Sequence, residues 1–447
     1  MLDMVKKFRE EYLQTCAALP FLDCYVSDMT PGWDDVSTKI PTDYRKLSFD
    51  SGNPRLVMQT KTGFEELENM AKAEPQVNFI IASGDQKLLY HREEITRLIR
   101  DYSNIYICIA NMCNLYMIEE LAADGLAGKM LYGSMAPYLD AAHAMALVAI
   151  GKLDWKTKCD IAGNNFRRLL GEEPVEVPGM PALIIPPVVI DAHAHTADSL
   201  TRVRFPIHDV ASDYEQWKDK LEYFGMTGMF FTPSKTTRDF ETYPSRNERQ
   251  ICVDSDGAIR YFEVYDPRKP AEAVASLEKS LPDPMCVGIK IHPPAHGTDA
   301  DAPAYEPLWQ TATRFNKPIM THSWGESYYN ATQIHSTPDK FDRYLSAYPQ
   351  VKFVFGHTGG RPNGFPLAVE MIRKHPQTMC DISGDFFHNG FVAHALKEIG
   401  SDRIMYGTDI YWIDPRCVMG MLLQSDISNE DLLKILRGNA ERFYLNR

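Results

Sequence analysis

The chain has 447 residues, of which 44% are hydrophobic and 24% charged, a globular composition that excludes disordered, collagen-like and coiled-coil proteins. A net charge of −13 without any basic run excludes the nucleic-acid-binding proteins, whose electrostatic footprint is positive. No stretch approaches the ~18 unbroken apolar residues of a membrane helix, and the charged amphipathic opening lacks a signal-peptide core, so we expect a cytoplasmic protein with no membrane partner.

Short apolar runs recur through the first part of the chain, at 21–27, 56–60 and 75–83 among others. A stiff connector follows, marked by Pro174, Pro178, Pro181, Pro186 and Pro187. These features predict a first domain over 1–175, a proline-rich connector over 176–187 and a second domain over 188–447. The nine cysteines are odd in number, scattered and never form Cys-x-x-Cys, which is typical of reduced, buried thiols.

From about residue 186 the chain repeats one theme, in which a short β-branched or apolar run is followed by a turn and a helical pattern. The eight runs cover 188–191, 228–231, 261–264, 287–291, 318–321, 353–356, 379–382 and 404–407. Helical periodicity fills most gaps, for example over 213–224, with Gly225 as its stop, and over 367–374. Strands alternating with helices imply parallel pairing through right-handed crossovers.

Eight such units in roughly 260 residues are the size of a closed (β/α)8 TIM barrel. The competing α/β architecture is a doubly wound open sheet, but no Gly-x-Gly-x-x-Gly turn follows any of these runs. We therefore predict an α/β fold with a TIM barrel in the second half.

Polar side chains gather at the carboxyl ends of these runs, namely His193, His195, His292, His322, His357 and Asp409. In a barrel all strand ends meet at one face, where the active site lies. His193 and His195 are two apart in an extended segment, so their side chains leave on the same side. Burying this set without a shared partner would be costly, and a divalent metal satisfies all of it. Imidazole with carboxylate suits zinc first, then manganese, iron or cobalt.

Six motifs in order carry a family resemblance; they cover 190–195, 288–293, 317–322, 356–360, 406–409 and 438–443. Together they resemble the amidohydrolase superfamily, and they are most similar to the amidohydrolase-related branch that includes the aminocarboxymuconate-semialdehyde decarboxylases. The resemblance runs from about residue 186 to the end of the sequence.

The resemblance implies one divalent metal, most simply zinc, held by His193, His195, His322 and Asp409. It places His357 beside the metal as a non-ligand or a second-metal histidine. Asp409 would then take a proton from a metal-activated water and pass it to the leaving group, while His357 polarises the substrate.

Lys290 shares a strand with His292 and is expected to point into the barrel. In some members of the superfamily the lysine on this strand is carboxylated and bridges two metals, whereas the decarboxylase-like branch has one metal. We favour one metal, with Lys290 and His292 as substrate contacts, and keep the two-metal arrangement open. Other candidates for substrate contact or for ordinary loop packing are Trp324, Arg361, Asp385 and His388; Arg361 is the best suited to grip a carboxylate.

The segment 1–175 contains a partial copy of the second half. Within it, 133–138 parallels 407–412 and 75–83 parallels 349–357, and both pairs are separated by the same number of positions along the chain. The copy lacks the residues that would form the second to fourth strand–helix units. Its residues at the ligand positions are Tyr25, Ser27, Thr60, Met135 and Ser83, which are not a divalent-metal set. We predict a truncated, degenerate, metal-free repeat.

The leading functional interpretation is metal-dependent hydrolysis of a small amide, ester, lactone or related C–N or C–O bond. The alternative is non-oxidative decarboxylation of an aromatic or unsaturated carboxylic acid, with Lys290 or Arg361 as a cationic clamp. A second alternative is a non-catalytic binding protein. The expected partner is a small-molecule substrate, and a homodimer is an open possibility.

Overall fold

The N-terminal segment 1–175 is built on a small parallel sheet. The computed structural model describes residues 1–33, 36–58, 61–82, 88–110, 112–196, 211–233 and 246–446. A two-stranded pair joins β1 (Leu22–Asp23) to β2 (Asp43–Tyr44), and a four-stranded sheet runs in chain order through β3 (Arg55–Met58), β4 (Phe79–Ala82), β5 (Ile105–Cys108) and β6 (Met130–Leu131). The α-helices are α1 (Leu2–Ala18), α2 (Phe64–Ala73), α3 (Arg92–Asp101), α4 (Met117–Ala123), α5 (Ala142–Ile150), α6 (Trp155–Cys159) and α7 (Asn165–Leu170).

The second half is an eight-stranded parallel barrel, and every predicted strand is confirmed. The strands, paired in chain order, are β7 (Val189–Thr196), β8 (Met226–Pro233), β9 (Ile259–Val264), β10 (Cys286–Ile291), β11 (Ile319–His322), β12 (Phe353–Gly356), β13 (Thr378–Asp381) and β14 (Ile404–Met405). Hydrogen bonds close the barrel between the first and last strands, with Ala192 N 3.0 Å from Tyr406 O and Asp409 N 2.8 Å from His193 O.

Helices cover the outside of the barrel. They are α8 (Tyr214–Tyr223), α9 (Arg246–Asp254), α10 (Pro270–Ser280), α11 (Pro293–His296), α12 (Glu306–Phe315), α13 (Asp342–Ala347), α14 (Phe365–Lys374), α15 (Phe391–Ile399), α16 (Pro415–Gln424) and α17 (Asn429–Leu433). Helix α8 begins where the Asp213 carboxylate caps the N–H of Gln216. It ends before Gly225, whose φ of +61° suits glycine.

An apolar layer fills the amino-terminal end of the barrel. Its members are Ile190, Ala192, Phe230, Phe262, Val287, Met320, Val354, Met379 and Met405, and Phe443 and Tyr444 from the carboxyl-terminal segment pack against them. The polar strand ends are therefore left to the opposite face, as in other barrels of this type.

A bulge on β7 turns its side chains around. The pairing of β7 with β8 shifts between Asp191 and Ala194, so that one extra residue lies on β7. Ile190 and Ala192 belong to the apolar layer. His193 follows Ala192 directly, yet it contacts side chains from β10 and the end of β13 inside the barrel. The bulge thus aims the histidines of β7 inward.

Elements of the two halves correspond at the constant spacing that the sequence repeat shows. β4 matches β12, β6 matches β14 and α6 matches α17, residue for residue. π-Helical segments follow both helices, at Asp160–Asn164 and Lys434–Gly438. Each is followed by an asparagine whose amide reaches two carbonyls at equivalent positions: Asn165 bonds residues 127 and 130, and Asn439 bonds residues 401 and 404.

The two halves meet through equivalent surfaces. Helix α5 packs against its counterpart α16, where Gly420 faces Ala146, the residue at its own equivalent position. Asp140 N lies 2.8 Å from the carbonyl oxygen of residue 387, and Asp414 N lies 2.7 Å from that of residue 113, which is the same contact with the halves exchanged. Reciprocal contacts of this kind are typical of an interface with two-fold symmetry.

All nine cysteines lie among the described residues, where each is buried and unbridged. Across the part of the chain that the structure describes, no helix combines the length and the apolar run needed to cross a bilayer. The division into domains remains a prediction, and Thr60 and Ser83 of the N-terminal copy lie outside the described residues.

Candidate metal centre

Three of the four predicted ligands form one cluster at the carboxyl end of the barrel. The side-chain donor atoms of His193, His195 and Asp409 all lie within 4.8 Å of one another. His195 Nε2 is 2.9 Å from Asp409 Oδ1. β7 supplies both histidines, and Asp409 follows β14 in a left-handed conformation with φ of +67°. Closure of the barrel therefore brings together side chains from its first and last strands.

A second carboxylate orients the cluster and was missed by the sequence analysis. Asp381 Oδ2 lies 2.9 Å from His193 Nδ1, and its Oδ1 accepts hydrogen bonds from the backbone N–H of His357 and from Ser383. A carboxylate in this position fixes the orientation of a metal-binding histidine ring. The donor atoms of His193, His357 and Asp381 also lie within 4.8 Å of one another.

Lys290 points into the barrel, as expected from the sequence. Its Nζ lies 2.7 Å from His193 Nε2, and the residue is 1% exposed. Burial lowers the pKa of Lys290 to about 8, although the carboxylates of Asp381 and Asp409 oppose the shift. The barrel thus holds a cation at the cluster itself.

His322 and His292 lie beside this cluster as a stacked pair. Their ring centroids are 4.2 Å apart at an interplanar angle of 12°. His322 Nε2 lies 2.9 Å from Gln333 Oε1, a partner that the sequence analysis did not identify. His322 also meets the ring of His357 at 4.7 Å. His322 belongs to neither three-residue group found among the described residues, and its role as a ligand stays a prediction.

Burial sets the protonation of these groups. Loss of solvent lowers the pKa of His322 to about 3, lowers that of His195, and lowers those of His292 and His357 well below the usual value. Burial would raise the pKa of Asp409, but the hydrogen bond from His195 and the nearby histidines hold it well below its usual range. Neutral imidazoles and an ionised carboxylate are the forms that bind metals.

Aromatic rings and a cation line the mouth next to the cluster. The Trp324 ring stacks on His322 at 5.4 Å and meets His357 at 5.3 Å. The Arg361 guanidinium carbon lies 5.2 Å from the centre of the Trp324 ring and 5.5 Å from that of Tyr329. The guanidinium also contacts Asp385, with Nη2 3.3 Å from Oδ2.

This donor set fits a divalent metal. Two imidazoles and one carboxylate converge within a buried site, and a third imidazole, that of His322, lies nearby. Imidazole and carboxylate are ligands of zinc and of manganese, iron and cobalt, and the carboxylate behind His193 supplies the outer support such sites use.

Comparisons with known proteins bear on the same part of the chain. The amidohydrolase family model matches residues 190–445. Among the solved structures, 5-carboxyvanillate decarboxylase from Sphingomonas paucimobilis is similar, with 12% identity, a TM-score of 0.45 and coverage of 57% of this chain and 98% of that one. 2,6-Dihydroxybenzoate decarboxylase from Rhizobium has 15% identity, a TM-score of 0.43 and coverage of 58% and 98%.

A third structure is 5-carboxyvanillate decarboxylase from Novosphingobium aromaticivorans, complexed with manganese and a nitrobenzoic acid. Its identity is 13% and its TM-score 0.44, with 58% of this chain and 96% of that one covered. No curated protein matches the chain.

Proposed function

This chain belongs to the amidohydrolase family and is a metal-dependent enzyme, and from that premise we propose that it decarboxylates an aromatic carboxylic acid without an oxidant. The observation that carries the proposal is Arg361, a cation held between the rings of Trp324 and Tyr329 beside the histidine cluster. Flat aromatic walls with a guanidinium suit a planar anion, because the rings stack on it while the guanidinium pairs with its charge.

His193, His195 and Asp409, with His322 as the fourth candidate, would hold the divalent metal. When bound, the metal supplies a positive charge that orients the substrate and stabilises negative charge in the transition state. Zinc is the first metal to test, followed by manganese, iron and cobalt.

The protein side chains account for the rest of the reaction. Arg361 and Lys290 would pair with the anionic groups of the substrate. The bond between the ring carbon and the carboxylate breaks, carbon dioxide leaves, and the ring carbon keeps the electron pair and takes a proton. His357 would relay that proton from solvent water, because it lies against the cluster and its Nδ1 is 2.9 Å from Ser383 Oγ.

The test is carbon dioxide release. The metal-loaded protein is incubated with a panel of benzoic acids, with and without a neighbouring hydroxyl group, and with ester and lactone substrates in parallel. We expect carbon dioxide from at least one acid, loss of the rate with a chelator, and its return with zinc or manganese. Ester or lactone turnover without carbon dioxide from any acid would overturn the proposal.

Hydrolysis is the second candidate, and one observation favours it. Asp409 lies in the cluster as an ionised carboxylate that accepts a hydrogen bond from His195. A carboxylate there can take a proton from water, which hydrolysis of a C–N or C–O bond requires. The same panel separates the two reactions.

We further propose that residues 1–175 are a truncated, metal-free relative of the barrel at 188–447. The constant spacing of β4, β6 and α6 from their counterparts supports this division. Tyr25, Ser27 and Met135 stand where the barrel has His193, His195 and Asp409, so this half has no comparable ligands at those positions.

A further inference from the structure

The loop that follows β13 is held by the N-terminal half of the chain. We define the 385–390 loop as the residues from Asp385 to Gly390. The carbonyl oxygen of residue 387 accepts a hydrogen bond from Asp140 N at 2.8 Å. Asn389 N donates to Tyr138 O at 3.1 Å, and Asn389 O accepts from Trp33 Nε1 at 3.0 Å. The Asn389 side-chain amide adds bonds to the carbonyls of residues 37 and 137, at 2.9 and 3.1 Å.

Side chains of the same half also enclose one ring of the loop. The indole of Trp33 lies 6.0 Å from the ring of His388 and packs on Phe365 and Phe386 at 5.8 and 6.0 Å. The Tyr138 ring meets His388 edge-on at 4.9 Å and 77°. Position and orientation of His388 therefore depend on residues outside the barrel.

The loop in turn reaches the mouth of the metal centre. Asp385 pairs with Arg361 at 3.3 Å. Burial, reinforced by the charge of Arg361, lowers the pKa of His388 to about 3, so that its ring is neutral. His388 lies three residues after Asp385, the loop residue that pairs with Arg361.

Two buried nitrogen atoms near Arg361 lack a partner within the described part of the chain. They are Nδ1 of His388, a residue 2% exposed, and Nε1 of Trp324, a residue 5% exposed. A buried polar group without a partner is unfavourable, so such groups are expected to serve a ligand or water. The Trp324 indole also stacks with the guanidinium.

We propose that the N-terminal half forms one wall of the substrate site: Trp33, Tyr138 and the 385–390 loop position His388 and Arg361 around an anionic group of the substrate. His388 and Arg361 are substrate-binding residues, and Trp33 and Asn389 are positioning residues. The nature of the substrate, an aromatic carboxylate, rests on the proposed function, whereas the wall itself rests on the contacts alone.

Benzoate is the probe, and its dissociation constant is measured by calorimetry on the full-length, metal-loaded protein. Trp33→Ala removes both the ring and its bond to Asn389, Trp33→Phe keeps the ring, and Asn389→Ala removes only the side-chain amide. Trp155→Ala is the matched control, because this indole also belongs to the N-terminal half and donates to a carbonyl, that of residue 177 at 3.3 Å, away from the loop. Metal content and melting temperature are recorded for every variant.

We expect Trp33→Ala and Asn389→Ala to raise the dissociation constant of benzoate about tenfold, with KM raised more than kcat is lowered and with metal content unchanged. Trp33→Phe should recover most of the affinity, and Arg361→Ala should lose more than any of them. Trp155→Ala should bind as the wild type does.

The wall is overturned if Trp33→Ala and Asn389→Ala bind benzoate normally, or if Trp155→Ala weakens binding equally. It is also overturned if the wild type binds benzoate no better than Arg361→Ala. A wild type that shows the expected binding pattern yet releases no carbon dioxide from any acid refutes the proposed decarboxylation and leaves the wall standing.

Discussion

The turn after β6 and the turn after β14 have the same hydrogen bonds, although among the described residues only the turn after β14 adjoins a metal-compatible cluster. In the N-terminal half, Ser134 donates its backbone N–H and its hydroxyl to the buried Asp23. In the barrel, Thr408 donates the same two groups to Asp191. The N-terminal half keeps this pair although it has Met135 where the barrel has Asp409, so we interpret the aspartate in both halves as a support for the turn.

The residue that follows Ser134 and the residue that follows Thr408 also adopt the same backbone conformation. Met135 has φ of +58° and Asp409 has φ of +67°. Left-handed φ at a non-glycine residue is uncommon and indicates that the surroundings impose it. The backbone therefore places a side chain at the same point in either half, and the identity of that side chain decides whether it can serve a metal site.

The largest expected effect comes from substituting the side chain at Asp409 and comparing it with a matched substitution at Met135. Asp409→Asn should lower kcat by about 10²–10⁴, the usual contribution of a positioned acid–base group. Met135→Leu, the matched change in the N-terminal half, should leave kcat unaltered, since a leucine conserves the volume. Steady-state rates of the two variants make the comparison, and equal losses would show that the halves do not differ as described.

A smaller loss is expected from the carboxylate behind His193. Asp381→Asn removes the charge that orients the ring, and metal affinity should fall about 10–100-fold. Titration with zinc in competition with a chromophoric chelator measures it. Asp402→Asn, at an exposed carboxylate, is the control, and a loss as large in that variant would argue against a specific role for Asp381.

The sequence predicted the strands well because each buried parallel strand is a short continuous apolar run bounded by turns. It also predicted that His193, His195 and Asp409 would meet, since the strand ends of a barrel converge. Local patterns carry no information on which distant side chains pair. For that reason Asp381, Ser383 and Gln333 emerged only from the structure.

The β7 bulge could not be predicted from the sequence either, because one extra residue does not change the hydrophobic pattern of so short a strand visibly. The role of the 385–390 loop depends on contacts with residues far earlier in the chain. A resemblance confined to the barrel motifs could not predict contacts with the N-terminal half.

Next in size is an effect on stability at the interface between the halves. A Cβ at Gly420 would lie 2.5 Å from Ala146 Cβ, so Gly420→Ala should force α5 and α16 apart and lower the free energy of unfolding by about 1–3 kcal/mol. At Gly438 no described heavy atom lies within 4 Å of an added Cβ, and Gly438→Ala should be neutral or stabilise by up to about 1 kcal/mol. Thermal unfolding of both variants measures the difference. Equal shifts in melting temperature would contradict close packing of α5 against α16.

A further expected effect is a pH dependence that resides in the N-terminal half. Burial raises the pKa of Asp23 to about 7, although hydrogen bonds from Ser134 and Tyr25 oppose the shift, whereas an unfolded aspartate titrates near ~3.9. The folded state therefore holds a proton that the unfolded state has lost, so this contribution to stability is full below about pH 4 and is lost as the pH rises through 7.

Asp23→Asn should remove this dependence, so the melting temperature of the variant relative to the wild type should rise between pH 4 and 7. A constant difference across that range would show that Asp23 is ionised throughout.

The number of metal ions per chain distinguishes a single centre at the barrel from every other arrangement. Plasma emission on dialysed wild-type protein should give one equivalent of divalent metal, and the double variant His193→Ala/His195→Ala should give none. Two equivalents in the wild type, or one equivalent retained by the double variant, would contradict a single centre at the barrel and a metal-free N-terminal half.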